Sequence, residues 1–270
     1  MRINQIWTAT SLRHFDWRMK KKYGLVQYNT DTDPAIFYGL FSSTIPVLQA
    51  HKSSVVIIWA GTDAQMLRGW RLHGKPFAKC QQVDRILQRS NVYHICRSRQ
   101  LAKDLDLCGL PYRFERVSPV LVGQFEVGPL GPCVYSYGSD RCREKYGGHI
   151  VDELKVRFPN VKFLSYDPVN IVVPYDCIAN VYSRCFLNLR LTKHDGFPNS
   201  VLEMGLMGRP SVFNGDIPGA IPWRSTEDVA SAIDAHVSNV GCCGDTQLSD
   251  SIRNELSISD DWLDTDMYGG

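Results

Sequence analysis

The sequence predicts an α/β protein built from two Rossmann-like domains. Short apolar runs alternate with helix-like patterns along the whole 270-residue chain, an order typical of parallel strands connected by helices. A segment rich in glycine and proline, residues 118–132, interrupts this alternation, and the pattern then restarts. We therefore expect domains at 1–120 and 121–240 that face each other across a cleft, and a helix and tail at 241–270 that pack across their junction.

In the first half, the pattern predicts helices over 78–89 and 98–109, the second of which ends at Gly109 before Pro111. Asp63, in "AGTD", either faces the cleft or caps the following helix, and capping is favoured. The basic run "WRMKKKYG" (17–24) is interpreted as a solvated loop, with a peripheral membrane contact as the alternative. The candidate strands of this half are 24–29, 35–40, 54–60, 91–96 and 112–117.

In the second half, strands and helices alternate without a break. Neither half carries a Gly-x-Gly-x-x-Gly fingerprint after its first strand, which disfavours a dinucleotide cofactor. The predicted strands are 133–138, 161–166, 185–191 and 210–215, and the predicted helices are 148–158, 176–184, 199–208 and 226–237.

Composition excludes several classes of protein. The net charge of +2 indicates no nucleic-acid partner, since such proteins concentrate basic charge on one face. No apolar run reaches the roughly 18 residues of a membrane span, and the first residues lack the apolar core of a secretion signal. The nine cysteines form no Cys-x-x-Cys pair and the seven histidines no metal-binding spacing. We expect a cytoplasmic protein with free cysteines and no metal site.

The stretch "KHDGFPNSVLEMGLMGRP" (193–210) carries the functional signal. The strand 185–191 delivers the chain to the carboxyl edge of the second sheet, where Gly196 permits a tight turn and Pro198 suits a helix start. A helix that begins near Asn199 presents free N–H groups and the positive end of its dipole, which together favour an anion. A phosphate site is therefore predicted at this helix end.

Two carboxylates flank the predicted phosphate position. Glu203 lies roughly 6–7 Å along the helix, at about 1.5 Å per residue, where a carboxylate can accept hydrogen bonds from the vicinal hydroxyls of a ribose. Asp195 lies on the other side and can accept from sugar hydroxyls. The alternative is that Asp195 and Asn199 only cap the helix, with Glu203 on a solvated face. Spacing alone does not choose between these interpretations.

The stretch "RLTKHDGFPNSVLEMGLMGRPSVFNGDIPG" resembles the donor-binding segment of retaining GT-B glycosyltransferases, the group that includes glycogen synthases and many mannosyl- and glucosyltransferases. Their Glu-x7-Glu motif is here Asp195-x7-Glu203, followed by "MGLMGRPSV". The first carboxylate is one carbon shorter, and the glycine-rich acceptor loop of the family is missing. The resemblance extends weakly through the second half and over residues 94–111.

The resemblance implies a role for each matching residue. Glu203 would hold the nucleotide ribose, Asp195 with the amides of Gly196 and Phe197 would face the transferred sugar, and the amides at the helix start would bind phosphate. That helix start consists of Asn199, Ser200 and Val201. Two opposing cations should neutralise the leaving diphosphate, and the candidates are Arg141, Arg143, Lys145, Arg190 and Lys193, of which Arg190 and Lys145 are assigned to catalysis.

The sequence thus predicts a glycosyltransferase that moves a sugar from an NDP-sugar, UDP- or GDP-linked, to a glycan or other hydroxyl acceptor. The resemblance implies retention of configuration, no required metal and no further cofactor. One alternative is a degenerate protein of the same fold that binds a nucleotide or glycan without turnover. Another is an NDP-sugar epimerase.

Overall fold

The computed structural model describes residues 2–74, 80–138, 142–166 and 173–268. The chain folds into two compact units. Unit 1 comprises Met1–Pro119, Asp195–Phe197 and Ser257–Gly270, and unit 2 comprises Val120–His194 and Pro198–Leu256. The predicted α/β class is confirmed, because each unit contains a parallel sheet with connecting helices.

Unit 1 is built on a parallel sheet that has six strands among the described residues, in the order β2-β1-β3-β4-β5-β6. Every residue of the two inner strands β3 and β4 is buried, as expected where helices cover both faces of a parallel sheet. The strands are β1 (Gln5–Thr8), β2 (Val26–Gln27), β3 (Ala35–Tyr38), β4 (Val55–Ile58), β5 (Val92–Cys96) and β6 (Arg113–Phe114).

The helices of unit 1 are α1 (Asp16–Tyr23), α2 (Ile45–Ala50), α3 (Thr62–His73), α4 (Cys80–Leu87) and α5 (Arg99–Leu107). Of these, the sequence predicted α4 and α5. The interpretation of the basic run as a solvated loop is wrong, because that run forms α1, which buries Arg18, Met19 and Tyr23.

Most of the cations of α1 are engaged within unit 1. Lys20 pairs with Asp16 and donates to Gln27, and the Arg18 guanidinium lies 4.8 Å from the ring centroid of Phe15. Lys22 is half-buried, with its amino group 5.2 Å from the neighbouring tyrosine ring. A polybasic surface for an anionic membrane needs several solvated cations together, and α1 does not present one.

The C-terminal residues of the chain complete the core of unit 1. Trp262 is fully buried with Ile3 and Met19, and its ring meets that of Tyr23 edge-on with 5.0 Å between centroids. The amide of Ile3 donates to the carbonyl of Leu263 over 2.7 Å. The predicted packing of 241–270 across a junction stays a prediction.

Unit 2 contains a parallel sheet with five described strands in the order β11-β10-β9-β7-β8. Its strands are β7 (Cys133–Tyr137), β8 (Lys162–Tyr166), β9 (Cys185–Leu189), β10 (Ser211–Val212) and β11 (Ala220–Ile221), and its helices are α6 (Gly148–Arg157), α7 (Tyr175–Tyr182), α8 (Asn199–Leu206), α9 (Thr226–Val237) and α10 (Thr246–Leu256). The central strand β9 is buried at all five positions. The chain leaves β9 directly into the stretch that the sequence singles out.

Helix α8 is fixed both along its length and beyond its C-terminus. Gly205 of α8 faces α10, where an added Cβ would lie 2.9 Å from the side chain of Ile252. Beyond the helix end, the buried guanidinium of Arg209 donates to the carbonyls of Cys185, Met207 and Pro129. These contacts connect α8 to α10, and Arg209 beyond its end to β9.

Candidate functional site

Helix α8 begins without a side-chain cap. Its N-cap residue is Pro198, and no side chain of the described residues accepts from the first-turn amides in a cap. The alternative in which Asp195 and Asn199 serve only as caps is therefore wrong for the geometry observed. The amides at the start of a helix have no intrahelical partner, so an uncapped start inside a folded protein leaves donors for another group.

The first turn of α8 offers a limited set of donors. The amides of Val201 and Leu202 donate to the carbonyl of Pro198 over 3.2 and 3.4 Å, so a bond from the Val201 amide to phosphate would require that contact to break. The hydroxyl of Ser200 is buried and has no hydrogen-bond partner among the described residues. Buried hydroxyls are nearly always satisfied. The Ser200 hydroxyl is therefore a group that an oxyanion can satisfy.

Glu203 is buried one turn into α8. Glu203 is 4% exposed and lies between the buried Leu202 and Met204. The alternative that places Glu203 on a solvated face is therefore wrong. The hydroxyl of Tyr182 donates to its Oε2 over 2.9 Å. A buried carboxylate requires such donors, because removing its charge from water without them is costly.

Tyr182 is the principal site residue that sequence reasoning missed. It ends α7, and its ring packs edge-on against Tyr135 with 5.1 Å between centroids. Burial first, and then the negative charge of Glu203, raise the pKa of Tyr182 well above its ordinary value. The phenol therefore stays protonated and acts as a donor. The sequence carries no signal for this pairing, because a buried acid needs a donor but its spacing does not show which neighbouring element supplies one.

Arg190 stands at the carboxyl end of β9, where the sequence placed it. Its guanidinium carbon lies 3.8 Å from the ring centroid of Tyr137 and 4.7 Å from that of Tyr146. These two rings meet edge-on at 4.9 Å. Contact with two aromatic rings restrains the orientation of an arginine side chain.

The other candidate cations differ in placement. Lys145 is exposed, with its amino group 5.5 Å from the same Tyr146 ring that stacks on Arg190. Lys193 is exposed, and Arg143 forms an ion pair with Asp152. Arg141 lies outside the described residues. The structure thus brings the two cations assigned to catalysis, Arg190 and Lys145, to one aromatic ring.

The turn residues Asp195–Phe197 pack within unit 1. The amide of Asp195 donates to the side-chain oxygen of Gln100 over 3.2 Å. A Cβ on Gly196 would lie 2.8 Å from the carbonyl oxygen of Ala60, so a glycine is required for this close approach. The ring of Phe197 lies 5.1 Å from the guanidinium of Arg116.

Asp63 organises the loop that Gly196 approaches. Its buried carboxylate accepts from the amides of Leu40, Ala60, Gly61 and Ala64 at 2.8–3.2 Å. Burial raises the pKa of Asp63, and these four amides oppose the shift. The residue is neither an N-cap of α3 nor exposed. It ties the ends of β3 and β4 to the start of α3.

Solved structures of glycosyltransferases share this fold. The match to sucrose-phosphate synthase from Thermosynechococcus elongatus covers 88% of this chain and 70% of that protein's chain, with a TM-score of 0.55. A second match is to a mutant of TarM from S. aureus, in complex with Fondaparinux, α-GlcNAc-glycerol and UDP. It covers 92% of this chain and 57% of the TarM chain, with a TM-score of 0.57. A second TarM structure matches 92% and 56%, with a TM-score of 0.52. Identity is 12% in each case.

These likenesses establish the fold as GT-B-like. The chain spans little more than half the length of the TarM chains. No protein-family model and no curated protein sequence matches the chain. Among the described residues, no helix has the length and apolarity to cross a membrane, and no three His, Cys, Asp or Glu side chains converge as metal ligands would.

Proposed function

We propose that the protein is a glycosyltransferase that moves a sugar from an NDP-sugar, UDP- or GDP-linked, to a hydroxyl of a glycan or other acceptor. The observation that carries the proposal is the buried, hydrogen-bonded carboxylate of Glu203, one turn into an uncapped helix that follows the central strand of its sheet. The fold supports it, because structures with this fold include sucrose-phosphate synthase and a TarM complex that contains UDP.

The proposed donor site uses four groups around α8. The diphosphate meets the amides of Asn199 and Ser200 and the unsatisfied Ser200 hydroxyl, where the helix dipole favours negative charge. Glu203 accepts from the ribose hydroxyls. Arg190, held in its aromatic stack, neutralises the departing phosphate, and Lys145, Lys193 and Arg141 are the further cations of the proposal.

The proposed chemistry retains the anomeric configuration and needs no metal ion. The bond from the sugar's anomeric carbon to the donor phosphate breaks, and the bond to the acceptor oxygen forms on the same face. The acceptor's proton passes to the departing diphosphate, whose charge the cations and helix end stabilise. Asp195 and the amides of Gly196 and Phe197 orient the transferred sugar in this scheme.

Kinetics of two variants test these roles. Glu203→Gln weakens donor affinity by about tenfold or more, as expected for a lost charge-assisted bond, with a smaller effect on turnover. Asp195→Asn lowers turnover more than donor affinity. The control is Glu227→Gln, which removes an exposed carboxylate paired with Arg157 and leaves both constants unchanged. Unchanged kinetics in both site variants would refute the assignment.

A binding protein without turnover is the second candidate. The Asp at position 195, one carbon shorter than the family's Glu, favours it. Tight binding of UDP or GDP with no release of sugar from UDP-glucose, UDP-GlcNAc or GDP-mannose, with or without an acceptor, selects this candidate. Slow hydrolysis of any of these donors selects the enzyme.

A further inference from the structure

Glu203 is held by a group that plays no part in the proposed donor contacts. We propose that Tyr182 is a positioning residue: its hydroxyl fixes the Glu203 carboxylate in the orientation in which it accepts the two ribose hydroxyls of the nucleotide. This inference rests on the proposed function and adds a residue to it. It predicts that the pair of Tyr182 and Glu203 gives the protein a preference for ribonucleotides over deoxyribonucleotides.

The contact between the two side chains is short and dry. The hydroxyl of Tyr182 lies 2.9 Å from Oε2 of Glu203, and the residues are 3% and 4% exposed. A hydrogen bond to an ionised acceptor is roughly twice as strong as a neutral one. Because little solvent reaches this contact, the phenol supplies a donor that an exposed carboxylate would take from water.

The aromatic side chains around Tyr182 fix its position, and a tyrosine has fewer torsions than a glutamate. The tyrosine ring packs edge-on against Tyr135 at 5.1 Å and lies 6.4 Å from the ring of Phe125. Its position depends on only two side-chain torsions, but a glutamate carboxylate swings through three. The hydroxyl of Tyr182 therefore provides a fixed point that selects one orientation of Glu203.

The bond to Tyr182 leaves acceptor capacity for a ligand. An ionised carboxylate has about four acceptor sites, and the phenol uses one on Oε2. The ribose offers two hydroxyls on adjacent carbons. Burial and the charge of Glu203 raise the pKa of Tyr182 well above its ordinary value, so the phenol keeps its proton and remains a donor through the neutral pH range.

The test compares nucleotides rather than activities. Affinities of UDP and GDP, each with its 2′-deoxy and 3′-deoxy counterpart, are measured by calorimetry for wild type, Tyr182→Phe and Tyr175→Phe. Tyr175 is the matched control, because it lies in the same aromatic cluster, 6.1 Å from Phe125, and its hydroxyl instead accepts from the amide of Leu121. Tyr182→Met serves as a second variant without a donor, since the flexible thioether can fill the space.

In wild type and Tyr175→Phe, the ribonucleotide should bind roughly 10–100-fold more tightly than its deoxy counterparts, the value expected for hydrogen bonds to a charged group. In Tyr182→Phe or Tyr182→Met that ratio should fall by about tenfold. An unchanged ratio in either folded variant overturns the inference while leaving the proposed function standing. If neither UDP nor GDP binds the wild type, the proposed function fails first, and the inference with it.

Unstable variants do not block the measurement. The osmolyte TMAO is excluded from protein surfaces and stabilises folded states, so all variants can be compared at one high concentration of TMAO. Ratios of affinity within one variant cancel the effect of the medium. The ratio therefore reports on Tyr182 even where its loss weakens the fold.

Discussion

At the scale of single residues, the carboxylate of Glu203 is an expensive group to bury. A charge removed from water costs several kcal/mol unless hydrogen bonds replace its hydration. Glu203 lies between Leu202 and Met204 in a helix whose residues from Ser200 onward are all buried. An apolar side chain would satisfy packing there at lower cost. On the proposed function, the cost of this charge, which Tyr182 supports, is offset when the carboxylate accepts from the ribose hydroxyls of the donor.

His94 is a second buried polar residue, and it makes the stability of unit 1 sensitive to acid. It is 3% exposed, and its Nδ1 accepts from the indole of Trp59. Burial, with a contribution from Arg71, lowers the pKa of His94 from 6.5 to about 4. The unfolded state therefore binds the proton more readily than the folded state between these values.

We expect stability to be complete above about pH 6.5 and to decrease as the pH falls toward 4, with His94 accounting for up to about 3 kcal/mol of the loss. His94→Gln should show a shallower decrease in urea unfolding over this range. His149→Gln, which alters an exposed histidine, is the control and should keep the wild-type slope. Equal slopes for wild type and His94→Gln would contradict this prediction.

At the scale of elements, the turn between β9 and α8 depends on a close backbone approach. Gly196 lies where a Cβ would contact the carbonyl of Ala60 at 2.8 Å and Leu101 at 3.1 Å. Gly61, opposite, has φ +125°, a conformation that favours glycine. Neither side of this contact can accept a side chain without displacement.

Gly196→Ala should therefore lower the free energy of unfolding by about 1–3 kcal/mol, because backbone atoms rather than flexible side chains must move. Gly128→Ala is the control, since nothing lies within 4 Å of its added Cβ, and it should change stability little. Denaturant unfolding compares the two. A Gly196→Ala variant as stable as wild type would show that the turn does not need this contact.

The apolar strands were predictable from the sequence, and β1 was not. Strands β3 and β4 are continuous apolar runs and β9 departs from one only at Asn188, a pattern that marks strands buried on both faces. In β1, Gln5 occupies a buried position, where its side chain donates to the carbonyls of Thr30 and Asp33 and accepts from the amide of Asn29. Because the partners of Gln5 lie far along the chain, no local sequence pattern identifies β1 as a strand.

The candidate site shows the same limit. The spacing of Asp195 and Glu203 reflects local geometry, one turn and one helix, and was visible in the sequence. The hydrogen bond between Tyr182 and Glu203 and the contacts of Arg190 with the rings of Tyr137 and Tyr146 join different elements. Such contacts depend on tertiary packing, which residue patterns do not encode at a fixed spacing.

At the scale of the whole molecule, the near balance of charge has a consequence for function. With a net charge of +2 over 270 residues, the protein has no strong overall field to attract an anionic donor. On the proposed function, recognition of a diphosphate must therefore come from local groups, such as the uncapped end of α8 and Arg190.

The GT-B-like fold allows more than one activity, because fold alone does not define function. The chain also spans only 57% of the TarM chain that contains UDP. The proposed donor site is therefore best tested directly, independently of any acceptor. Thermal unfolding with UDP, GDP, ADP, CMP and dTDP, each with and without EDTA, does so for wild type and Glu203→Gln.

We predict that one nucleoside diphosphate raises the midpoint of thermal unfolding by several degrees, since a ligand at about 100 times its Kd adds roughly 2.7 kcal/mol. The shift should persist in EDTA and shrink in Glu203→Gln. If no nucleotide shifts the wild-type transition, the end of α8 is not a donor site. A shift of equal size in wild type and Glu203→Gln would contradict the role assigned to the buried carboxylate.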